Sequence, residues 1–309
     1  MHKAKKQENK YIIIIAGPTA VGKTAISIKI AKKLGCEIFS ADSRQIYKEL
    51  NIGTAKPTIG DLTSVRHHMI NYISVTDDYN VGHYVADLRR LLNEYFHTHN
   101  VAILTGGSGL YIKALMEGLD DFPEVPDDIL TDYNTLFEKE GIETLQAELK
   151  IRDPMYFNKA DLSNHRRLIR ALGVCKVSGL PYTSFLSNKK NETAPYDFIQ
   201  ILLELPRDVL YRRINERVNM MMDAGLLNEV RSLLKYRELK SLDTVGYREL
   251  FNYLDAHEGL ESAIDMIKQN SRRYAKRQMT WFNKYGDWTR FSSDDYDAIE
   301  KFVFQEIKV

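Results

Sequence analysis

The sequence has few cysteines and no long apolar segment. Cys36 and Cys175 are the two cysteines of the 309-residue chain, and no CxxC pair occurs. A disulfide framework and a thiolate zinc site are therefore excluded, and so few thiols suit a reducing cytoplasm. No apolar run approaches the ~18 residues that cross a membrane, and the first ten residues lack the apolar segment of a signal peptide. We expect a cytoplasmic protein that has no membrane partner.

The segment GPTAVGKT, residues 17–24, has the pattern of a phosphate-binding loop. A run of isoleucines precedes it, and a helical pattern of apolar residues follows it and stops at Gly35. Its glycines let successive backbone amides point at one spot, where the dipole of the following helix and the ammonium of Lys23 add positive potential. The pattern predicts that a di- or triphosphate binds there, with the hydroxyl of Thr24 placed to coordinate Mg2+. The predicted phosphate-binding residues are Gly17, Pro18, Thr19, Ala20, Val21, Gly22, Lys23 and Thr24.

Strands and helices alternate after this loop. Residues 37–41 and 101–105 have the pattern of strands, residues 84–96 that of a helix, and residues 198–205 that of a strand that returns to the sheet. This order predicts an α/β fold, namely a P-loop NTPase-like parallel sheet flanked by helices. Ligands of such sheets gather at the carboxyl ends of the strands, so we expect the loop, Asp42 and Ser108 to converge on one cleft.

The composition changes at Leu119. Two prolines break the chain shortly after it, and helical patterns follow at residues 129–138, 142–149 and 165–177. We interpret residues 119–194 as an all-helical insertion domain, and residues 1–118 with 195–309 as the P-loop catalytic core domain. The chain beyond Arg207 is interpreted as helical.

Two helical patterns in the C-terminal part predict buried stripes. One comprises Leu210, Ile214, Val218 and Met221. The three methionines of residues 220–222 are interpreted as core rather than as a binding surface. The other stripe comprises Tyr274, Gln278, Trp281 and Tyr285.

The net charge of +1 conceals two charged segments. Residues 119–153 contain eleven acidic residues, as solvated helix faces often do, whereas residues 266–286 contain six lysines and arginines and no acidic residue. The basic segment suits contacts with a nucleic-acid backbone, but the residues alone leave a solvated face equally open. Arg213 and Arg217, like the arginines of residues 166–170, could bind phosphate or pair with the acidic segment.

The strand at residues 101–105 is followed by two glycines and not by the acidic residue that motor ATPases and GTPases place there. Asp42 follows the preceding strand, where small P-loop kinases place a group that meets the phosphoryl acceptor. A carboxylate at this position could take a proton from an incoming nucleophile. A turn or helix-cap aspartate is an equally good interpretation of the residue alone.

Six motifs, in this order and at this spacing, resemble those of the bacterial tRNA dimethylallyltransferases, also called tRNA isopentenyltransferases. They are GPTAVGKT, SADSRQIYKELNIGTAKP (residues 40–57), GGSGLYIKAL (residues 106–115), RRLIRAL, GYREL and YAKRQMTWF. The resemblance covers residues 12–282. It implies transfer of a dimethylallyl group from dimethylallyl diphosphate to N6 of the adenosine on the 3′ side of the anticodon, position 37, in tRNAs that read codons beginning with U.

The resemblance also implies residue roles. Asp42 would be the general base, and the P-loop, Arg217 and Mg2+ on Thr24 would bind the diphosphate of the isoprenoid rather than ATP. The implied tRNA contacts are Asp42, Ser43, Arg44, Gln45 and Ser108 in the core, Arg166, Arg167, Leu168, Ile169 and Arg170 in the insertion, which would clamp the anticodon stem-loop, and Arg273 and Arg277 in the basic segment. The protein would act as a monomer.

Two residues depart from the family pattern. Ser108 stands where a threonine is usual, which keeps the hydroxyl, and Asn71 stands where an aspartate is usual, so a charge role there is in doubt. Two other functions remain open. One is an ATP-dependent small-molecule or nucleoside kinase on the same scaffold, and the other is a non-catalytic RNA-binding switch gated by a nucleotide.

Overall fold

The protein is described by a computed structural model that covers residues 9–186, 195–256 and 259–307. The chain divides into two compact units. Residues 1–116 with 194–309 form one, called the core unit below, and residues 117–193 form the other, called the helical unit. No helix in the described part of the chain is long and apolar enough to cross a membrane.

The core unit contains a sheet in which all neighbouring strands are parallel. Its strands, in chain order, are β1 (Tyr11–Ala16), β2 (Ile38–Ser40), β3 (His67–His68), β4 (Val101–Gly106), β5 (Asp197–Glu204) and β6 (Thr289–Ser292). Their order across the sheet is β3-β2-β4-β1-β5-β6. The predicted α/β fold with a parallel sheet is confirmed.

Helices cover the sheet and form the helical unit. In chain order they are α1 (Lys23–Leu34), α2 (Ile59–Ser64), α3 (Val81–Tyr95), α4 (Gly109–Glu117), α5 (Asp127–Glu140), α6 (Ile142–Arg152), α7 (Pro154–Phe157), α8 (His165–Ser178), α9 (Arg207–Asp223), α10 (Leu226–Ser232), α11 (Tyr247–Leu254), α12 (Leu260–Lys284) and α13 (Tyr296–Glu306). Short 3-10 helices lie at Tyr182–Phe185 and Leu234–Tyr236.

The central strand β1 explains the two-sided core. All six of its residues are buried. Ile12 and Ile14 contact a hydrophobic cluster that includes residues of α3, α11 and α12, whereas Ile13 and Ile15 contact a second cluster with residues of α1, α9 and α13. A strand covered on both faces must be apolar at successive positions, which is why an isoleucine run forms it.

The interpretation of the chain beyond Arg207 as helical is wrong at one place, because β6 pairs with the edge of β5. Three of the four residues of β6 are exposed. Such a short edge strand lacks the apolar pattern by which strands are found in a sequence. The two-residue strand β3 was missed for the same reason.

The predicted stripe of α9 is confirmed at Leu210, Ile214 and Val218, which are buried. The interpretation of residues 220–222 as core is wrong for Met220, whose side chain is 62% exposed. In α12 the buried stripe is shifted relative to the prediction. Its buried members near the predicted residues are Ala275, Gln278 and Phe282, while Tyr274, Trp281 and Tyr285 are only partly buried.

The helical unit has a hydrophobic core of its own, formed mainly by α5, α6 and α8. Asp153, which is 1% exposed, joins two short helices of this unit. Its carboxylate accepts hydrogen bonds from the backbone N–H groups of Tyr156 at 2.9 Å and Thr183 at 2.7 Å. A buried carboxylate satisfied in this way fixes α7 against the 3-10 helix at Tyr182–Phe185.

Candidate active site

The phosphate-binding loop lies between β1 and α1, and its shape depends on its two glycines. Gly17 and Gly22 have φ angles of 151° and 111°, a region that side chains rarely adopt. A Cβ atom on Gly17 would lie 2.8 Å from the backbone oxygen of Leu203 in β5. The loop therefore needs glycine both for its turn and for its close approach to the neighbouring strand.

Lys23, the first residue of α1, is turned into the loop. Its ammonium donates hydrogen bonds to the backbone oxygens of Gly17 at 3.0 Å and Pro18 at 2.9 Å. Burial lowers the pKa of Lys23 from 10.5 to about 8, the charge of Asp42 opposes this shift, and the charge of Arg217 adds to it. Burial also lowers the pKa of Arg217. The loop thus concentrates positive charge in a poorly solvated place, which favours an anion with several charges.

Asp42 follows β2 and forms a turn. Its Oδ1 accepts hydrogen bonds from the backbone N–H groups of Arg44 at 2.9 Å and Gln45 at 3.2 Å. Within the described residues its second oxygen, Oδ2, accepts no hydrogen bond. The two interpretations of Asp42 are therefore compatible, because one oxygen fixes the turn and the other is left to accept a proton.

The ends of β2 and β4 are tied together beside Asp42. The hydroxyl of Ser108 accepts a hydrogen bond from the backbone N–H of Ser43 at 2.9 Å and lies 3.2 Å from the Ser43 hydroxyl. The backbone N–H of Ser108 donates to the backbone oxygen of Ala41 at 3.1 Å. The structure thus brings Ser108 next to the Asp42 turn, as expected for the carboxyl ends of neighbouring parallel strands.

Gln278 of α12 joins the phosphate-binding loop to this second group of residues. Its Oε1 accepts a hydrogen bond from the backbone N–H of Thr19 at 2.9 Å, and its Nε2 donates to the backbone oxygen of Gly107 at 3.0 Å. The side chain is buried, and a Cβ on Gly107 would lie 2.2 Å from Nε2. The amide of Thr19 is therefore bonded to Gln278 and that of Val21 to the backbone oxygen of Pro18, so the amides that remain for phosphate are those of Ala20, Gly22, Lys23 and Thr24. Sequence reasoning missed this role, although the motif YAKRQMTWF contains the residue.

Arg44 and Gln45 are held by backbone oxygens. The guanidinium of Arg44 donates to the oxygens of Lys240 at 3.3 Å, Ser241 at 2.8 Å and Asp243 at 3.2 Å. The side-chain amide of Gln45 donates to two oxygens of the loop that follows, those of Thr54 at 3.1 Å and Ala55 at 3.2 Å. These contacts fix the side chains that the resemblance assigns to RNA binding.

The arginines of the core unit differ in their surroundings. Arg213 forms an ion pair with Asp294 at 2.9 Å, so its partner is not in the acidic segment of residues 119–153. Arg217, one helical turn later, is partly buried near Lys23. Arg273 and Arg277 are exposed on α12; the first donates to Asn270 at 3.2 Å, and the second lies 5.7 Å from the ring centre of Tyr274.

In the helical unit, α8 presents two kinds of residue. Arg166, Arg167 and Arg170 are exposed, whereas Leu168 and Ile169 are 0% and 4% exposed and belong to the hydrophobic core of the unit. The side chains of Leu168 and Ile169 are therefore unavailable to RNA, and the expected tRNA contacts of these two residues would have to come from backbone atoms. The three arginines form one charged face because residues three or four apart share a side of a helix.

Known proteins resemble this chain over nearly its whole length. The family model described as IPP transferase matches residues 45–285. The chain is 47% identical over 300 residues to the tRNA dimethylallyltransferase of Christiangramia forsetii, with 97% of this chain and 98% of that protein covered. It is 45% identical over 304 residues to the enzyme of the same name from Flavobacterium johnsoniae, with 95% and 97% covered. The structure resembles the tRNA isopentenylpyrophosphate transferase of Bacillus halodurans with a TM-score of 0.72, 34% identity and 97% of each chain covered.

Proposed function

The chain belongs to the IPP transferase family, and we propose that it transfers a dimethylallyl group from dimethylallyl diphosphate to N6 of adenosine 37, next to the anticodon, in tRNAs that read codons beginning with U. The observation that carries this proposal is the pairing of a phosphate-binding loop with a carboxylate. Gln278 joins the loop at Thr19 to Gly107, Ser108 bonds to the turn that begins at Asp42, and Oδ2 of Asp42 accepts no hydrogen bond from the described residues. The site therefore combines an anion-binding half with a proton-accepting half.

The anion-binding half suits a diphosphate leaving group. As the bond between C1 of the dimethylallyl group and the diphosphate oxygen breaks, negative charge develops on the diphosphate. The remaining loop amides, Lys23 and Arg217 would stabilise that charge. The hydroxyl of Thr24, in the first turn of α1, would hold Mg2+. The ion would supply further positive charge to the leaving group.

The proton-accepting half suits an exocyclic amine. The N6 amine of adenine must lose a proton as its bond to C1 forms, because the amine would otherwise carry a positive charge in the product. Oδ2 of Asp42 would take that proton, while Oδ1 keeps its bonds to the turn. The turn would thus hold the base in one orientation during the reaction.

The adenosine must leave the anticodon-loop stack to reach this site, at a cost of a few kcal/mol. Ser43 and Ser108, whose hydroxyls are 3.2 Å apart, would contact the flipped nucleotide. The arginine face of α8 and the exposed arginines of α12 would bind phosphates of the anticodon stem-loop, with the helical unit acting as a clamp. We also propose that the protein acts on tRNA as a monomer in the cytoplasm.

The test is transfer of labelled dimethylallyl diphosphate to unmodified tRNA with Mg2+, followed by nuclease digestion and nucleoside chromatography. Label in N6-(dimethylallyl)adenosine is the expected result. Consumption of ATP with a small acceptor, and no transfer to tRNA, would instead identify a kinase. tRNA binding without any product would identify an RNA-binding switch.

Asp42→Asn tests the assignment of the base. Asparagine keeps an oxygen that can accept the bonds from Arg44 and Gln45, but it cannot take a proton. We expect turnover to fall by a factor on the order of 10² or more while tRNA binding is retained. Unchanged turnover of this variant would remove Asp42 from the proton transfer.

A further inference from the structure

A single carboxylate in the core unit gathers the loop that follows the Asp42 turn. Glu229 of α10 accepts hydrogen bonds at Oε2 from the backbone N–H groups of Asn51 at 3.1 Å and Ile52 at 2.8 Å. Its Oε1 accepts from the N–H of Gly53 at 3.1 Å and from the hydroxyl of Tyr247 at 2.6 Å. Three successive amides converging on one carboxylate make a strong and directional contact, because each bond is charge-assisted.

Tyr247, from the motif GYREL, completes this contact from α11. Its side chain is 0% exposed, and a Cβ on Gly53 would lie 2.5 to 2.8 Å from three atoms of its phenol group. Burial raises the pKa of Tyr247 well above its ordinary value, and the charge of Glu229 raises it further. Tyr247 therefore stays protonated and donates its hydrogen bond throughout the working pH range.

The loop held by Glu229 in turn holds the Asp42 turn. The backbone oxygens of Thr54 and Ala55, which directly follow the three bound amides, accept the bonds from the side chain of Gln45. The backbone N–H of Gln45 donates to Oδ1 of Asp42. A continuous series of hydrogen bonds thus leads from Glu229 through the loop of residues 51–55 to the carboxylate of Asp42.

The segment between α10 and α11 supports the same turn at a second point. The backbone oxygens of residues 240, 241 and 243 accept the three bonds from Arg44. Arg44 and Gln45 are the two residues whose backbone amides bind Oδ1 of Asp42. Residues 229–247 therefore fix both residues that orient the carboxylate. They hold Arg44 directly and Gln45 through the loop of residues 51–55.

We propose that Glu229 is a positioning residue for the acceptor side of the site. With Tyr247 it fixes the loop of residues 51–55, which holds Gln45 and so orients Asp42 toward the amine of the adenosine. This inference rests on the proposed function for its catalytic consequence. A displacement of about 1 Å at a reacting group is enough to slow a reaction by two orders of magnitude, so loss of this support reduces turnover without any contact between Glu229 and substrate.

The experiment compares Glu229→Gln and Tyr247→Phe with the parent protein. Glutamine keeps the shape of the side chain, but its single oxygen cannot satisfy three amides and a hydroxyl. Glu238→Gln is the matched control, since Glu238 is 91% exposed. The measurements are kcat, KM for tRNA, KM for dimethylallyl diphosphate, and hydrogen exchange of peptides that cover residues 17–24, 42–45 and 51–55.

For Glu229→Gln we expect kcat to fall about tenfold or more, with KM for dimethylallyl diphosphate changed less than twofold. Tyr247→Phe should show a smaller loss in the same direction, and Glu238→Gln should match the parent. Hydrogen exchange should accelerate at residues 51–55 and 42–45. It should stay unchanged at residues 17–24, because hydrogen bonds with Lys23 and Gln278 hold the phosphate-binding loop.

Two results would overturn the proposal. One is a lower melting temperature of Glu229→Gln with kcat preserved, which would make the contact structural only. The other is exchange that accelerates at residues 51–55 but not at residues 42–45. If the parent makes no N6-(dimethylallyl)adenosine, the proposed function fails, and the exchange data still decide whether Glu229 orients the Asp42 turn.

Discussion

The burial of Lys23 predicts a characteristic dependence of stability on pH. Its pKa of about 8 in the folded protein is lower than the 10.5 of a solvated lysine. Between these values the unfolded chain binds a proton that the folded protein does not, so the free energy of unfolding rises with pH in this window. A shift of about 2.5 pKa units corresponds to about 3 kcal/mol, at about 1.4 kcal/mol per unit.

The perturbation is Lys23→Met, which removes the titrating group and keeps a chain of similar length. Lys23→Met also loses the hydrogen bonds to Gly17 and Pro18, which are stronger for the ammonium than for the neutral amine, and the pKa of Lys23 already includes that difference. We therefore expect the stability of the parent relative to Lys23→Met to increase by about 2 to 3 kcal/mol between pH 7 and pH 10. Below pH 8 the charged lysine is a cost, and that cost disappears as the lysine loses its proton.

The assay is urea denaturation at a series of pH values, followed by the fluorescence of Trp281 and Trp288. Lys32→Met is the matched control, since Lys32 is an exposed lysine of the same helix. Equal pH dependence of the parent and Lys23→Met would refute the reasoning. Pyrophosphate adds a second check. A bound anion favours charged Lys23, so it should reduce the pH dependence of the stability of the parent relative to Lys23→Met.

Two further predictions concern polar contacts of the core unit. Gln278→Leu leaves one amide and one carbonyl unpaired beside the phosphate-binding loop, so it should lower the free energy of unfolding by about 2 to 4 kcal/mol in urea denaturation. Asn71→Asp should stabilise the protein near pH 7 by about 1 kcal/mol. The reason is that Lys56, whose pKa partial burial lowers to about 8, donates to Oδ1 of Asn71 at 2.6 Å, and a carboxylate there would offset the cost of desolvating the ammonium.

Each of these predictions has an outcome that contradicts it. A loss below about 1 kcal/mol for Gln278→Leu would mean that water replaces the side-chain amide. For Asn71→Asp the gain should vanish as pH falls through the pKa of the new carboxyl, about 4, or rises past the 10.5 of a solvated lysine, where the lysine becomes neutral in both states. A gain that persists at pH 11 would assign the effect to something other than Lys56.

The elements with strong local patterns could be predicted from the sequence. The isoleucine run became β1, and the predicted helices at residues 129–138 and 165–177 correspond to α5 (Asp127–Glu140) and α8 (His165–Ser178). Their apolar periodicity and the flanking glycines and prolines fix them locally. The edge strands β3 and β6 could not be found, because pairing with a neighbour rather than local composition makes them strands.

In the candidate site, too, local patterns predicted some residues, whereas contacts between distant parts of the chain determined others. Asp42 and Ser108 could be placed together because each follows a strand of one parallel sheet. Gln278 is 259 positions from Thr19, and Glu229 is 176 positions from Gly53. A polar residue on a helix looks solvated when its partner is a distant backbone amide, so neither role could be predicted from local pattern.

A signal for the Glu229 contact was nevertheless present in the sequence. Gly53 and Tyr247 both belong to motifs that carried the family resemblance, yet neither has a group suited to the proposed chemistry. Gly53 has no positive φ angle, and a Cβ atom there would lie 2.5 to 2.8 Å from the phenol group of Tyr247, so close packing and not a turn requires glycine at this position.

Gln278 and Glu229 stabilise different parts of the site, so we expect substitutions of the two residues to change the kinetic constants differently. Gln278 bonds directly to the phosphate-binding loop at Thr19 and to Gly107, the residue before Ser108, so it couples the diphosphate half to the acceptor half. Glu229 reaches only the acceptor half, through the loop of residues 51–55. Loss of Gln278 should therefore weaken diphosphate binding and turnover together, whereas loss of Glu229 should reduce turnover and leave KM for dimethylallyl diphosphate unchanged. If both losses raised KM for dimethylallyl diphosphate equally, the two halves would form one rigid body, and the separate positioning role of Glu229 would be wrong.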